Sequence, residues 1–198
     1  MASGTLTSMQ SGDHRMTKQM LIVFAAAITI GSPVCAEQPD WETELQRQLP
    51  LLGHRNWIVV ADAAYPAQTA PGIRMIYTGE KQLDVVRKVL GAVRRQKHVR
   101  GVVFTDAELP FVPERFARGI GEYRAGLKQV LKGHDVTSLP HEQIIEQMDE
   151  AGRTFQILVL KTDMVLPYTS VFIRLDCGYW SDEAERELRA AMKAAGDR

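Results

Sequence analysis

Two residues able to hold or move a proton flank one short apolar run. His54 lies in the Leu52-Gly53-His54 turn, Asp62 follows Ala61, and Trp57, Ile58, Val59, Val60 and Ala61 between them are continuously apolar. A run of that length between turn residues is the pattern of a strand covered on both faces, which belongs inside an α/β sheet. A rigid strand that ends in exposed turns can hold a proton-transfer group while leaving it accessible. Imidazole titrates closest to neutrality, so His54 is the leading candidate for general acid/base chemistry. Read alone, a His after Gly also suits a helix-end cap, and Asp62 also suits a turn.

A second polar constellation lies near the other end of the chain, in Leu166-Pro167-Tyr168-Thr169-Ser170-Val171-Phe172-Ile173, preceded by His141-Glu142-Gln143. The Gly53-His54 turn, the apolar strand, the Asp62-Ala63 step with Pro66 behind it and the Pro167-Tyr168 segment resemble, in this order, the D-ribose pyranase and L-fucose mutarotase (RbsD/FucU) family. His141-Glu142-Gln143 resembles a His-Glu-Gln of the pyranase branch. Val89-Leu90-Gly91-Ala92-Val93 resembles a helical segment between the two main motifs. The likeness covers roughly Glu42 to Trp180.

The resemblance implies a three-layer α/β sandwich with a mixed or mostly parallel central sheet flanked by helices. It implies an isomerase without cofactor that interconverts ring forms or anomers of a free monosaccharide, ribose- or fucose-like, in a ring-type homo-oligomer with sites at subunit contacts. His54 then corresponds to the general acid/base, and Asp62, His141, Tyr168 and Ser170 to sugar-binding residues. Ser170 stands where the family has Asn, offering one hydroxyl in place of an acceptor and two donors. Asp62-Ala63-Ala64-Tyr65-Pro66-Ala67 leans toward the fucose branch. The alternative readings are a non-catalytic periplasmic sugar-binding or transport-accessory protein, and an oligomeric scaffold without ligand.

Such a reaction opens a hemiacetal: one proton leaves the anomeric hydroxyl while another reaches the ring oxygen, and closure reverses the sequence. It needs no redox agent, metal or covalent intermediate. An imidazole, a carboxylate and an aromatic hydroxyl are the group types that suit it, and His54, Asp62 and Tyr168 supply them. No His-x-x-x-His pair supports a metal site from His54, His141 and Asp62. Gly119-x-Gly121 falls in a helical pattern without the preceding strand that a dinucleotide fingerprint requires, so no cofactor is expected.

The elements that position these residues follow from periodicity. Trp41, Leu45 and Leu49 define one face of a first helix that Pro50 ends. Ile73 to Tyr77 reads as a strand after the Pro66 to Gly72 loop. Leu83, Val86, Val89, Leu90 and Val93 keep helical spacing, with Arg87, Lys88, Arg94 and Arg95 outside that set. Arg100 to Thr105 is a third strand closed by Asp106-Ala107-Glu108-Leu109-Pro110. Phe116, Ile120, Tyr123, Leu127, Val130 and Leu131 then predict a helix from near Pro113 to Gly133. A short strand at His134 to Ser138, a helix from Pro140 through Met148, and strands at Phe155 to Leu160 and Val171 to Leu175 follow. Ser181 is the expected N-cap of a terminal helix through Ala195. Alternating strands and helices argue for a layered α/β sheet.

The amino-terminal 36 residues read as an export signal: Lys18, the eleven-residue run Met20 to Ile30, and Val34-Cys35-Ala36 as a cleavage site. About 20 apolar residues are needed to span a bilayer, so cleavage and a periplasmic or secreted location are expected, without stable membrane insertion. Residues 1–15 precede an ordinary signal, with Met16 as the better start. The whole chain carries 24 basic and 24 acidic residues, and removing Arg15, Lys18 and Asp13 leaves 22 and 23. That mixed, near-neutral surface carries no footprint for nucleic acid or an anionic membrane. Residues 37–180 form the expected family-like domain and 181–198 an added helix. Cys177 alone remains after cleavage, so no intrachain disulfide is expected.

Overall fold

The continuous apolar run becomes strand β1 (Trp57–Ala61), and all five of its residues are buried. Its three β-branched side chains suit a pleated surface packed on both faces. The computed structural model describes residues 40–196, so the expected export signal lies outside the described residues. The elements in order are α1 (Trp41–Gln48), β1, β2 (Ile73–Tyr77), α2 (Gln82–Arg94), β3 (Val99–Asp106), α3 (Ile120–Val130), β4 (Val136–Leu139), α4 (His141–Gly152), β5 (Ile157–Lys161), β6 (Val171–Cys177) and α5 (Asp182–Gly196).

The six strands form one mixed sheet in the order β2-β5-β1-β6-β3-β4. β1 and β2 pair with β5 in parallel, and β3 pairs with β4 in parallel. β6 lies between β1 and β3 and runs antiparallel to both. Successive strand residues face opposite sides, so each strand feeds two cores. Ile58, Val60, Leu158, Leu160, Val103 and Ile173 pack on one side with Leu45 of α1, Val86 and Val89 of α2, and Ile120 and Leu127 of α3. Trp57, Val59, Phe104, Val159 and Phe172 pack on the other with Ile144 and Met148 of α4. Over the described residues the result is a three-layer α/β sandwich, with α1, α2 and α3 on one face and α4 on the other.

Local chemistry sets the boundaries. Pro50 carries α1 into a 3₁₀ turn at Leu49–Leu51. Helix α3 starts at Ile120, seven residues later than the apolar spacing predicts. Gly119 sits at φ 91°, a left-handed conformation that breaks helical continuity, and the Glu114 carboxylate accepts the Gly119 and Gly121 N–H groups across the break. Phe116 therefore leaves the expected apolar stripe and is 76% exposed. At the carboxyl end, Ser181 Oγ accepts the Ala184 N–H at 3.1 Å and caps α5, none of whose residues is buried. No helix among the described residues is long and apolar enough to cross a membrane.

Candidate active site

Five parallel strands end along one edge of the sheet, and β6 begins there because it runs the other way. Loops at the carboxyl edge of an α/β sheet are where such folds present polar groups to ligands. Asp62 follows β1, Asp106 is the last residue of β3, His141 opens α4 just after β4, and Tyr168 and Ser170 lead into β6. Residues from four separate segments thus share one edge.

Two hydrogen-bonded groups make up the cluster. Ser170 Oγ donates to Asp62 Oδ2 at 2.8 Å and accepts the Asp62 N–H at 3.2 Å. Asp62 Oδ1 accepts the Ala64 N–H at 2.8 Å, so the carboxylate also shapes the turn. In the second group, His141 Nδ1 lies 3.1 Å from Asp106 Oδ1. The His141 N–H donates to both Glu108 oxygens, at 3.0 and 3.1 Å, placing a carboxylate at the amino end of α4. The Tyr168 ring meets the His141 ring edge-on, with centroids 5.7 Å apart and planes at 81°.

The loop before β6 is held in an uncommon shape. Tyr168 has φ 57°, a conformation that costs a residue with a Cβ, and it remains 40% exposed. Thr169 holds it from both sides: its hydroxyl donates to Leu166 O at 2.8 Å, while its carbonyl accepts the Tyr123 hydroxyl at 2.6 Å and the Gln82 amide. Loop strain maintained by buried partners is a feature of ligand clamps.

Burial dominates the electrostatics. Asp106 is 1% exposed, and its Oδ2 has no hydrogen-bond partner among the described residues. Burial pushes its carboxyl above the ordinary range, His141 opposes the shift, and the negative charges of Glu108 and Asp62 add to it. Tyr65, buried beside the cluster, is pushed up to about 12 by burial, then by Asp149 and Asp62. No group of three or more metal-ligating side chains occurs among the described residues.

Four of the five expected site residues, Asp62, His141, Tyr168 and Ser170, meet at this edge. His54 does not join them within the same chain. It is exposed in the turn that feeds β1, at the amino edge, and β1 alone separates the two ends by about 13 Å at about 3.3 Å per residue. Asp106 and Glu108 were not anticipated, because Asp106-Ala107-Glu108-Leu109-Pro110 reads as turn chemistry. The usable signal was an Asp at the exit of a buried strand, the same position that singles out Asp62. Five clefts of about 350 to 650 Å³ among the described residues lie elsewhere, and at the cluster Asp106 and Ser170 are buried while Tyr168 is exposed.

These features define an α/β sandwich with a polar shelf carrying a carboxylate, an imidazole, an aromatic ring and a hydroxyl. No family model matches the chain, and no curated protein matches it. Among solved structures it is similar to RbsD of Bacillus subtilis complexed with D-ribose, at 20% identity over 67% of this chain and 90% of that one, with a TM-score of 0.45. It is likewise similar to FucU of Bifidobacterium longum, at 14% identity over 67% and 92%, and to the fucose mutarotase of Streptococcus pneumoniae in complex with L-fucose, at 18% over 66% and 89%; both have a TM-score of 0.45.

Proposed function

We propose that the protein is a cofactor-independent sugar mutarotase or pyranase, and that the carboxyl-edge shelf binds a free monosaccharide of ribose or fucose type. The observation that carries this reading is the convergence of Asp62, His141, Tyr168 and Ser170, which come from motifs as far apart as residues 62 and 170. Sugar hydroxyls are recognised by fixed carboxylate and hydroxyl groups, and sugar faces by aromatic rings. The shelf offers both. In this reading a second copy in a ring-type homo-oligomer closes the shelf and presents its His54 to the sugar as a general acid/base. The protein acts after export, in the periplasm or outside the cell.

A second reading follows from one observation: His54 lies at the opposite edge from the other four residues, so one chain holds sugar-binding groups without that histidine. A non-catalytic sugar-binding or transport-accessory protein has this arrangement. Exchange NMR on a panel of aldoses, including ribose and fucose, separates the two. The enzyme reading expects faster exchange between ring forms or anomers, and loss of rate with retained binding in His54→Ala. Saturable binding without acceleration for any sugar leaves the binder, and neither effect removes both readings.

A further inference from the structure

We propose that Asp106 is a positioning residue for His141, fixing its ring so that Nε2 faces the shelf and relays a proton of the reaction beside the His54 of a second copy. This inference rests on the sugar-isomerase reading and assigns it a second proton carrier, on this chain's own elements.

The geometry leaves His141 little freedom. Asp106 Oδ1 lies 3.1 Å from Nδ1, the main chain of His141 is tied to Glu108, and the Tyr168 ring meets the imidazole edge-on. Nε2 makes no hydrogen bond among the described residues, and the side chain is 34% exposed. Asp106 is enclosed at the end of β3, so its carboxylate cannot reach a sugar except through His141. A carboxylate buried behind an imidazole selects the Nδ1–H tautomer, leaves the Nε2 lone pair outward, and stabilises the imidazolium when Nε2 takes a proton.

This imidazole can relay the proton between the two sugar oxygens, with the His54 of a second copy as the other proton-transfer group. Nε2 takes the proton of the anomeric hydroxyl, the bond from the anomeric carbon to the ring oxygen breaks as the carbonyl forms, and Nε2 returns the proton to the ring oxygen. On closure a sugar hydroxyl gives its proton to Nε2 and adds to the carbonyl carbon, and the carbonyl oxygen takes that proton. The two oxygens served are bonded to the same carbon, so the ring nitrogen has only a small distance to cover. No proton is gained or lost overall.

The charged groups nearest Asp106 besides His141 are Glu108 after β3 and Asp62 after β1, and the Tyr168 ring faces His141.

The test uses the full chain. Two-bond ¹H–¹⁵N spectra of the histidine rings, with His141 assigned by its loss in His141→Gln, are expected to show the Nδ1–H tautomer in wild type and a changed tautomer ratio in Asp106→Asn. In sugar-exchange NMR, Asp106→Asn is expected to lower the maximal rate by about 100-fold or more while the half-saturating sugar concentration stays within about 3-fold, and to change the pH profile of the rate. A wild-type Nε2–H tautomer overturns the proposal, whatever the activity. A wild type that accelerates exchange, beside an Asp106→Asn variant of equal rate and unchanged pH profile, overturns it while leaving the sugar reading intact. A wild type without acceleration on any sugar overturns the enzyme reading and the proton-carrying role together.

Discussion

Asp106→Asn is expected to stabilise the protein at neutral pH while it impairs the site. Asp106 is 1% exposed, and among the described residues one carboxylate oxygen has only His141 as partner and the other has none. A buried polar atom without a partner costs about 1–3 kcal/mol, and more when charged. Asn keeps the shape and the orphaned atom but removes the charge, so the gain is the difference between a charged and a neutral orphan, less the weakened bond to His141. That difference comes to about 1–2 kcal/mol, or a rise in Tm of about 2–8 °C for a chain of this size. The pH dependence has a definite sign. Burial raises the folded-state pKa of this carboxyl, so its contribution to stability is fully present below the unfolded value and is lost as pH rises through the folded one. The Asn variant therefore gains its advantage over that window and shows none below about pH 4, where Asp106 is protonated in both states. Urea unfolding of both proteins near neutrality and near pH 3.5 measures this. An Asn variant less stable than wild type near neutrality, or a difference unchanged between the two conditions, would refute the reasoning.

Further outcomes follow from the same structure. Ser170→Ala removes both hydrogen bonds that tie β6 to Asp62 and is expected to cost about 1–2 kcal/mol in thermal unfolding, with weaker sugar binding by calorimetry. Equal melting and equal affinity would show that Ser170 is not a member of the site. Phe172→Ala empties a fully buried position in β6 and is expected to cost about 3–5 kcal/mol in urea unfolding; a cost below about 1 kcal/mol would place that ring outside a close-packed core.

The sequence made some parts of the molecule easy to read and hid others. β1 was legible because burial on both faces demands an unbroken apolar run, and the terminal helix was legible because Ser181 is a local cap. Motif resemblance singles out Asp62, His141, Tyr168 and Ser170, which the sheet places along one edge, and periodicity singles out none of them. Asp106 was hidden because an Asp before Ala-Glu-Leu-Pro is ordinary turn chemistry until the sheet order brings β3 beside β6. The start of α3 was hidden because hydrophobic spacing continues through Phe116 although Gly119 interrupts the backbone. The separation of His54 from the other four residues depends on which end of β1 each loop occupies. Two residues eight positions apart look close in sequence, and an extended strand holds them apart.

The antiparallel strand in the middle of the sheet also bears on how the chain reaches this structure. β6 is the last strand to be synthesised, yet β1 and β3 have no direct pairing and are joined only through it. Until Val171–Cys177 is available, the earlier strands amount to two separate ribbons, β2-β5-β1 and β3-β4, each with an open edge. Sheet closure must then bridge a separation of more than a hundred residues between Val60 and Val171, a long-range contact of the kind that slows folding. The same event brings Ser170 to Asp62, so the shelf is assembled last. Truncation before Val171 therefore removes the seam of the sheet, takes away the strand that positions Tyr168 and Ser170, and leaves strand edges exposed to other chains.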